Sequence, residues 1–141
     1  MQIISCAVMV GLIWVIQILH YPAFADVHED KFCGFHSKHS NRITFIVVPV
    51  MLLELATAVL LIRSDLKNIF FLGNLLMIIA LWSATALLSV PIHNELSKKQ
   101  DIQKIHRLVK TNWVRTSLWS LRLLCLSIYF FLHQGSYVNF N

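Results

Sequence analysis

Four long apolar stretches organise the chain, and none shows the one-sided periodicity of a soluble amphipathic helix. Residues 3–19 carry no charge, 43–62 carry only Glu54, 69–92 carry none, and 113–132 carry Arg115 and Arg122. About 20 helical residues at 1.5 Å each cross the roughly 30 Å hydrocarbon layer of a bilayer. Soluble core helices rarely stay apolar on every face for that length. The period-2 alternation of a membrane barrel is absent. The pattern predicts an all-α fold, a four-transmembrane-helix bundle forming a single integral membrane domain over 1–141, with helices at about 3–21, 40–62, 69–92 and 112–132. The first stretch followed by Ala23-Phe24-Ala25 also has the outline of a cleaved signal peptide. It lacks a leading Lys or Arg, so it is read as a retained first helix.

The polar segments between these stretches fall into two groups. Loops 20–42 and 93–112 together hold eight Lys and Arg, whereas the turn after the second stretch holds only Arg63 and Lys67. This positive-inside bias predicts a multi-pass protein of the inner (cytoplasmic) membrane, with loops 20–42 and 93–112 cytoplasmic and both termini outside. The net charge of +5 then reports topology and attraction to anionic headgroups, so the partner it implies is the lipid bilayer and not nucleic acid. Within 93–112, Ser97 and Gln100 have capping-box spacing. Ile102, Ile105, Leu108 and Val109 follow at helical intervals among lysines, which predicts a short cytoplasmic interfacial helix between helices 3 and 4.

Composition agrees: 57% of residues are hydrophobic and 13% charged, against about 45–50% and about 25% in soluble domains. Cys6, Cys33 and Cys125 are odd in number and form no C-x-x-C pair, so no disulfide framework is expected.

The candidate chemistry is histidine. Of seven histidines, six fall on the predicted cytoplasmic side and only His133 falls on the other. His20 ends the first helix, His36 and His39 precede the second, and His93 ends the third. A four-helix bundle brings such helix ends together. These four residues are the expected ligands of a transition metal or haem. Cys33 is a possible extra ligand through Cys33-x-x-His36-x-x-His39, provided Gly34 interrupts the helix there. Arg42, one turn from His39, and Arg115 are expected to bind an anionic group such as a propionate or a substrate oxyanion. His28 and His106 have polar neighbours and are expected on the surface.

Buried charge is the second feature. Glu54 and Arg122 both fall about 14–16 Å from the cytoplasmic end of their helices, near the bilayer midplane. An isolated charge there is costly, so the two are expected to pair. Arg115 shares the Arg122 face, with Asn112 and Trp119 flanking the stripe. Pro49 is expected to kink the second helix.

Blocks such as Leu19-His20-Tyr21-Pro22, His36-x-x-His39-x-x-Arg42, Val48-Pro49-Val50-Met51-Leu52-Leu53-Glu54 and Val90-Pro91-Ile92-His93-Asn94 resemble a family of small, uncharacterised bacterial four-span membrane proteins. The Val90-Pro91-x-x-Asn94-x-Leu96 and Trp113-x-Arg115 blocks are more distantly similar to anthrone-oxygenase-like membrane proteins. That second resemblance implies oxygenation of a lipid-soluble aromatic substrate. Three functions are therefore expected to compete: a metal- or haem-dependent redox protein; a non-catalytic accessory subunit acting with a membrane-complex partner or as a homo-oligomer; and an anthrone-type oxygenase.

Overall fold

A computed structural model describes residues 1–138. Residues 139–141, and with them the end of the expected 1–141 domain and its C-terminus, lie outside the described residues. The helices are α1 (Gln2–Val15), α2 (Glu29–Ser64), α3 (Ile69–Ala84), α4 (Val90–Leu96) and α5 (Ile102–Val138). α1 continues through a π-helical turn, Ile16–His20, and then a 3-10 turn, Pro22–Asp26. A second π-helical turn, Thr85–Ser89, joins α3 to α4. Four rods result, Gln2–Asp26, Glu29–Ser64, Ile69–Leu96 and Ile102–His133, each long and apolar enough to cross a membrane. This is the expected all-α bundle of four spans.

α1 packs on α2 and α5, and α3 packs on the same two, so α2 and α5 stand across the bundle diagonal. The outward faces are apolar. No more than 33% of any apolar window is buried within the bundle, and Phe45 and Leu87 are 83% and 73% exposed. Water disfavours so continuous an apolar surface, whereas acyl chains match it.

The turn between α2 and α3 supplies a depth scale. Asn68 caps α3 by accepting a hydrogen bond from the Phe70 amide at 3.1 Å. From Ser64 back along α2, Glu54 is 10 residues away and His36 is 28 residues away. At 1.5 Å per residue these are depths of about 15 and about 42 Å. Along α2 the histidine level therefore lies farther from Ser64 than the roughly 30 Å thickness of a hydrocarbon layer.

Two apolar cores stand along the bundle. One contains Cys6, Met9, Ile13, Met51, Leu81 and Trp119. The other contains Phe24, Phe32, Leu96, Ile105 and Leu108, each 0% exposed, and lies at the histidine end. Between membrane helices, close packing and polar bonds hold the rods together more than the hydrophobic effect does.

That second core explains where the structure departs from the expected boundaries. α2 begins at Glu29 rather than near 40: His28 enters in extended conformation, Glu29 and Asp30 face the positive end of the helix dipole, and Phe32 anchors the first turn. Gly34 lies inside α2 and does not interrupt it, because its neighbours Phe32 and His36 are both buried. The segment after 101 is helical, but it is the first part of α5 and not a separate interfacial helix. No Gly or Pro occurs between 102 and 133 to break it, and Ile105 and Leu108 are drawn into the second core. Ser97 and Gln100 form no capping box. The Ser97 hydroxyl donates to the Asn94 carbonyl, and the Gln100 amide donates to the Phe24 and Val27 carbonyls. Asp101 caps α5 instead, accepting from the Lys104 amide at 3.1 Å.

Candidate functional site

Polar side chains line the bundle interior in three layers. The outermost lies at the depth of Glu54. Glu54 and Arg122, 2% and 1% exposed, form the expected ion pair across the α2–α5 diagonal. Arg122 also donates through Nε to Asn74 Oδ1 at 2.9 Å and through Nη2 to Gln2 Oε1. Trp119 Nε1 donates to Glu54 Oε2 at 3.2 Å. Gln2 Nε2 donates to the Glu54 carbonyl at 2.8 Å and to Thr57 Oγ1 at 2.7 Å. All four rods thus meet at one guanidinium, which fixes their relative rotation and depth.

The middle layer surrounds Arg115, two turns along α5 from Arg122. Its Nη1 donates to Ser89 Oγ at 3.1 Å and Asn112 Oδ1 at 3.2 Å. Its guanidinium lies over the Trp119 ring, 5.3 Å from the centroid. Asn112 Nδ2 donates to Gln17 Oε1 at 2.9 Å, and Gln17 Nε2 donates to the Val109 carbonyl at 3.1 Å.

The third layer is the histidine cluster, and the four expected residues do meet. Ring centroids are 4.0 Å apart for His20 and His39, 5.1 Å for His36 and His93, and 6.5 Å for His39 and His93. Phe24 packs edge-on against His20, His36 and His39 at 5.3–5.5 Å. His36 Nε2 and His93 Nδ1 are hydrogen-bonded at 2.9 Å, and His93 Nε2 meets the Tyr21 hydroxyl at 3.0 Å. His20 Nε2, His36 Nδ1 and His39 Nε2 are buried without a hydrogen-bond partner.

Other expectations fare differently. Cys33 is half-buried against the second apolar core. On a continuous helix, residues spaced i, i+3 and i+6 diverge, so Cys33 is not drawn to the histidine rings. Arg42 is exposed on the outside of α2, because the histidine-facing side of that helix is taken by His36 and His39. Arg115 faces the interior as expected. His28 and His106 are exposed surface residues, as expected.

The sequence reading did not assign roles to Gln2, Gln17, Tyr21, Asn74 and Ser89. Gln2, Gln17, Asn74 and Ser89 are polar groups within or bordering apolar spans, which is itself a signal of an interior-facing position.

Among the described residues no three His, Cys, Asp or Glu side chains stand in ion-ligating geometry. The cluster is close to one all the same. Two imidazole nitrogens sharing a tetrahedral ion at about 2.0–2.1 Å are about 3.3–3.4 Å apart, a few tenths of an ångström more than the 2.9 Å between His36 Nε2 and His93 Nδ1. A haem fits less well, since His20 and His39 are in contact and Phe24 fills the centre. Fold and site together define a polytopic four-helix bundle with a histidine-lined end. No protein family, curated protein or solved structure matches the chain.

Proposed function

We propose that this is a multi-pass protein of the inner membrane that binds a transition-metal ion on His20, His36, His39 and His93 at its cytoplasmic face, for redox chemistry. The buried, unpartnered Nε2 atoms of His20 and His39 carry this reading. A buried polar atom left unpaired costs about 1–3 kcal/mol, and one ion would satisfy both. Imidazole suits iron, copper, nickel and zinc. Binding would exchange the His36–His93 hydrogen bond for metal–nitrogen bonds, and the Tyr21 hydroxyl would hold the His93 ring in orientation. A redox-active ion in this place would supply electron transfer at the membrane surface. The ring contacts favour a single ion over haem.

Metal analysis of the purified protein, with its visible absorption spectrum, tests this. About one ion per chain is expected. His36→Ala or His93→Ala should reduce it to background, and His106→Ala should leave it unchanged. A metal-free protein that takes up no ion on loading, or equal metal content in all variants, refutes the reading.

Orientation is part of the proposal and is supported by the eight-to-two Lys/Arg asymmetry. A tag at the N-terminus should report the outside, and Lys98 and Lys99 should react with an amine probe only from the cytoplasmic side. The opposite labelling pattern overturns it.

A second reading, a non-catalytic accessory subunit, draws support from the Gln2–Glu54–Asn74–Arg122 network, which accounts for the buried charges of that layer by packing alone. It gains if the protein proves metal-free.

A further inference from the structure

We infer that Arg115 is the anchor of a second binding site, inside the bundle, for a small carboxylate. Arg115 is 4% exposed, and arginine keeps its charge in proteins. Glu54, the one buried acid among the described residues, is engaged by Arg122. Asp26, Glu29, Asp30, Asp65 and Glu95 are exposed, and Asp101 lies at the start of α5 with Lys104. The partners of Arg115 are all neutral: the Ser89 hydroxyl, the Asn112 amide oxygen and the Trp119 face. Its Nε is buried with no partner. A buried cation without an opposing charge is the most unfavourable arrangement a low-dielectric interior can hold, and the cation–π contact offsets only part of it.

The backbone points to the same place. π-helical turns are rare and are frequently found at functional sites. This chain has two, on different rods, and both contribute to the Arg115 layer. Ile16–His20 presents Gln17 and leads into Tyr21, and Thr85–Ser89 ends on Ser89. Ser89 Oγ and Asn112 Oδ1 both accept from Nη1, Asn112 being held in turn by Gln17, and Nε is left without a partner.

Ligand class follows from the charge and the fork. One unneutralised positive charge calls for a monoanion, since a dianionic phosphate would reverse the imbalance. The parallel N–H bonds of a guanidinium edge match the two oxygens of a carboxylate. The inference holds whether or not the histidines carry a metal.

The test uses the whole protein in nanodiscs, titrated with sodium formate or acetate against sodium chloride at fixed ionic strength. Unfolding temperature and tryptophan fluorescence are read, Trp119 being the local reporter. Formate or acetate is expected to give a saturable change that chloride does not reproduce. Arg115→Lys, which keeps the charge and loses the fork, should weaken the apparent affinity at least tenfold, and Arg115→Gln should abolish the response. If Arg115→Gln does not fold, Arg115→Lys decides by the same criterion. The absence of a carboxylate-specific saturable response in the wild-type protein, or an equal response in the variants, overturns the inference.

Discussion

Glu54→Ala is expected to destabilise the bundle by about 3–5 kcal/mol, the usual consequence of leaving one member of a buried ion pair without the other. Both groups are at most 2% exposed, so solvent does not screen the loss. The second half of the experiment is more informative. In Glu54→Leu/Arg122→Leu no buried charge is stranded, and stability should recover substantially. The recovery should be incomplete, because Asn74, Gln2 and Trp119 each lose a hydrogen-bond partner, at about 1 kcal/mol apiece. Reversible unfolding in mixed micelles supplies the measurement. A double variant as unstable as the two singles combined would mean that the residues are not coupled.

Phe24→Ala should cost about 3–5 kcal/mol, the range for deleting a fully buried ring. Phe24 is 0% exposed and belongs to the core at the histidine end. The ring also spaces His20, His36 and His39, so its loss should loosen the cluster while leaving all four imidazoles present. Phe24→Leu should restore most of the stability. The same unfolding assay checks both variants, and a Phe24→Ala protein as stable as wild type would show that the histidine end contributes little to the fold.

The four spans, the Glu54–Arg122 pair and the meeting of four histidines were all readable from the sequence. Each rests on one-dimensional physics. Hydrocarbon thickness sets the length of an apolar run, the cost of an intramembrane charge demands a partner, and helical rise converts residue number into depth. What the chain pattern by itself could not settle was where the helices stop and which polar groups they share. A polar segment such as 29–42 or 102–112 has the composition of a loop or surface helix. It becomes part of a rod only because Phe24, Phe32, Leu96, Ile105 and Leu108 find one another from separate parts of the chain. The same continuity of α2 holds His36 and His39 toward the cluster and leaves Arg42 outside. Ser89, and Gln17 by way of Asn112, reach Arg115 from two π-helical turns, a backbone feature with no period in the sequence to announce it. The sequence determined which groups had to be buried. Only tertiary packing decided which of them touch, because burial depends on depth along one helix and contact depends on the rotation of four.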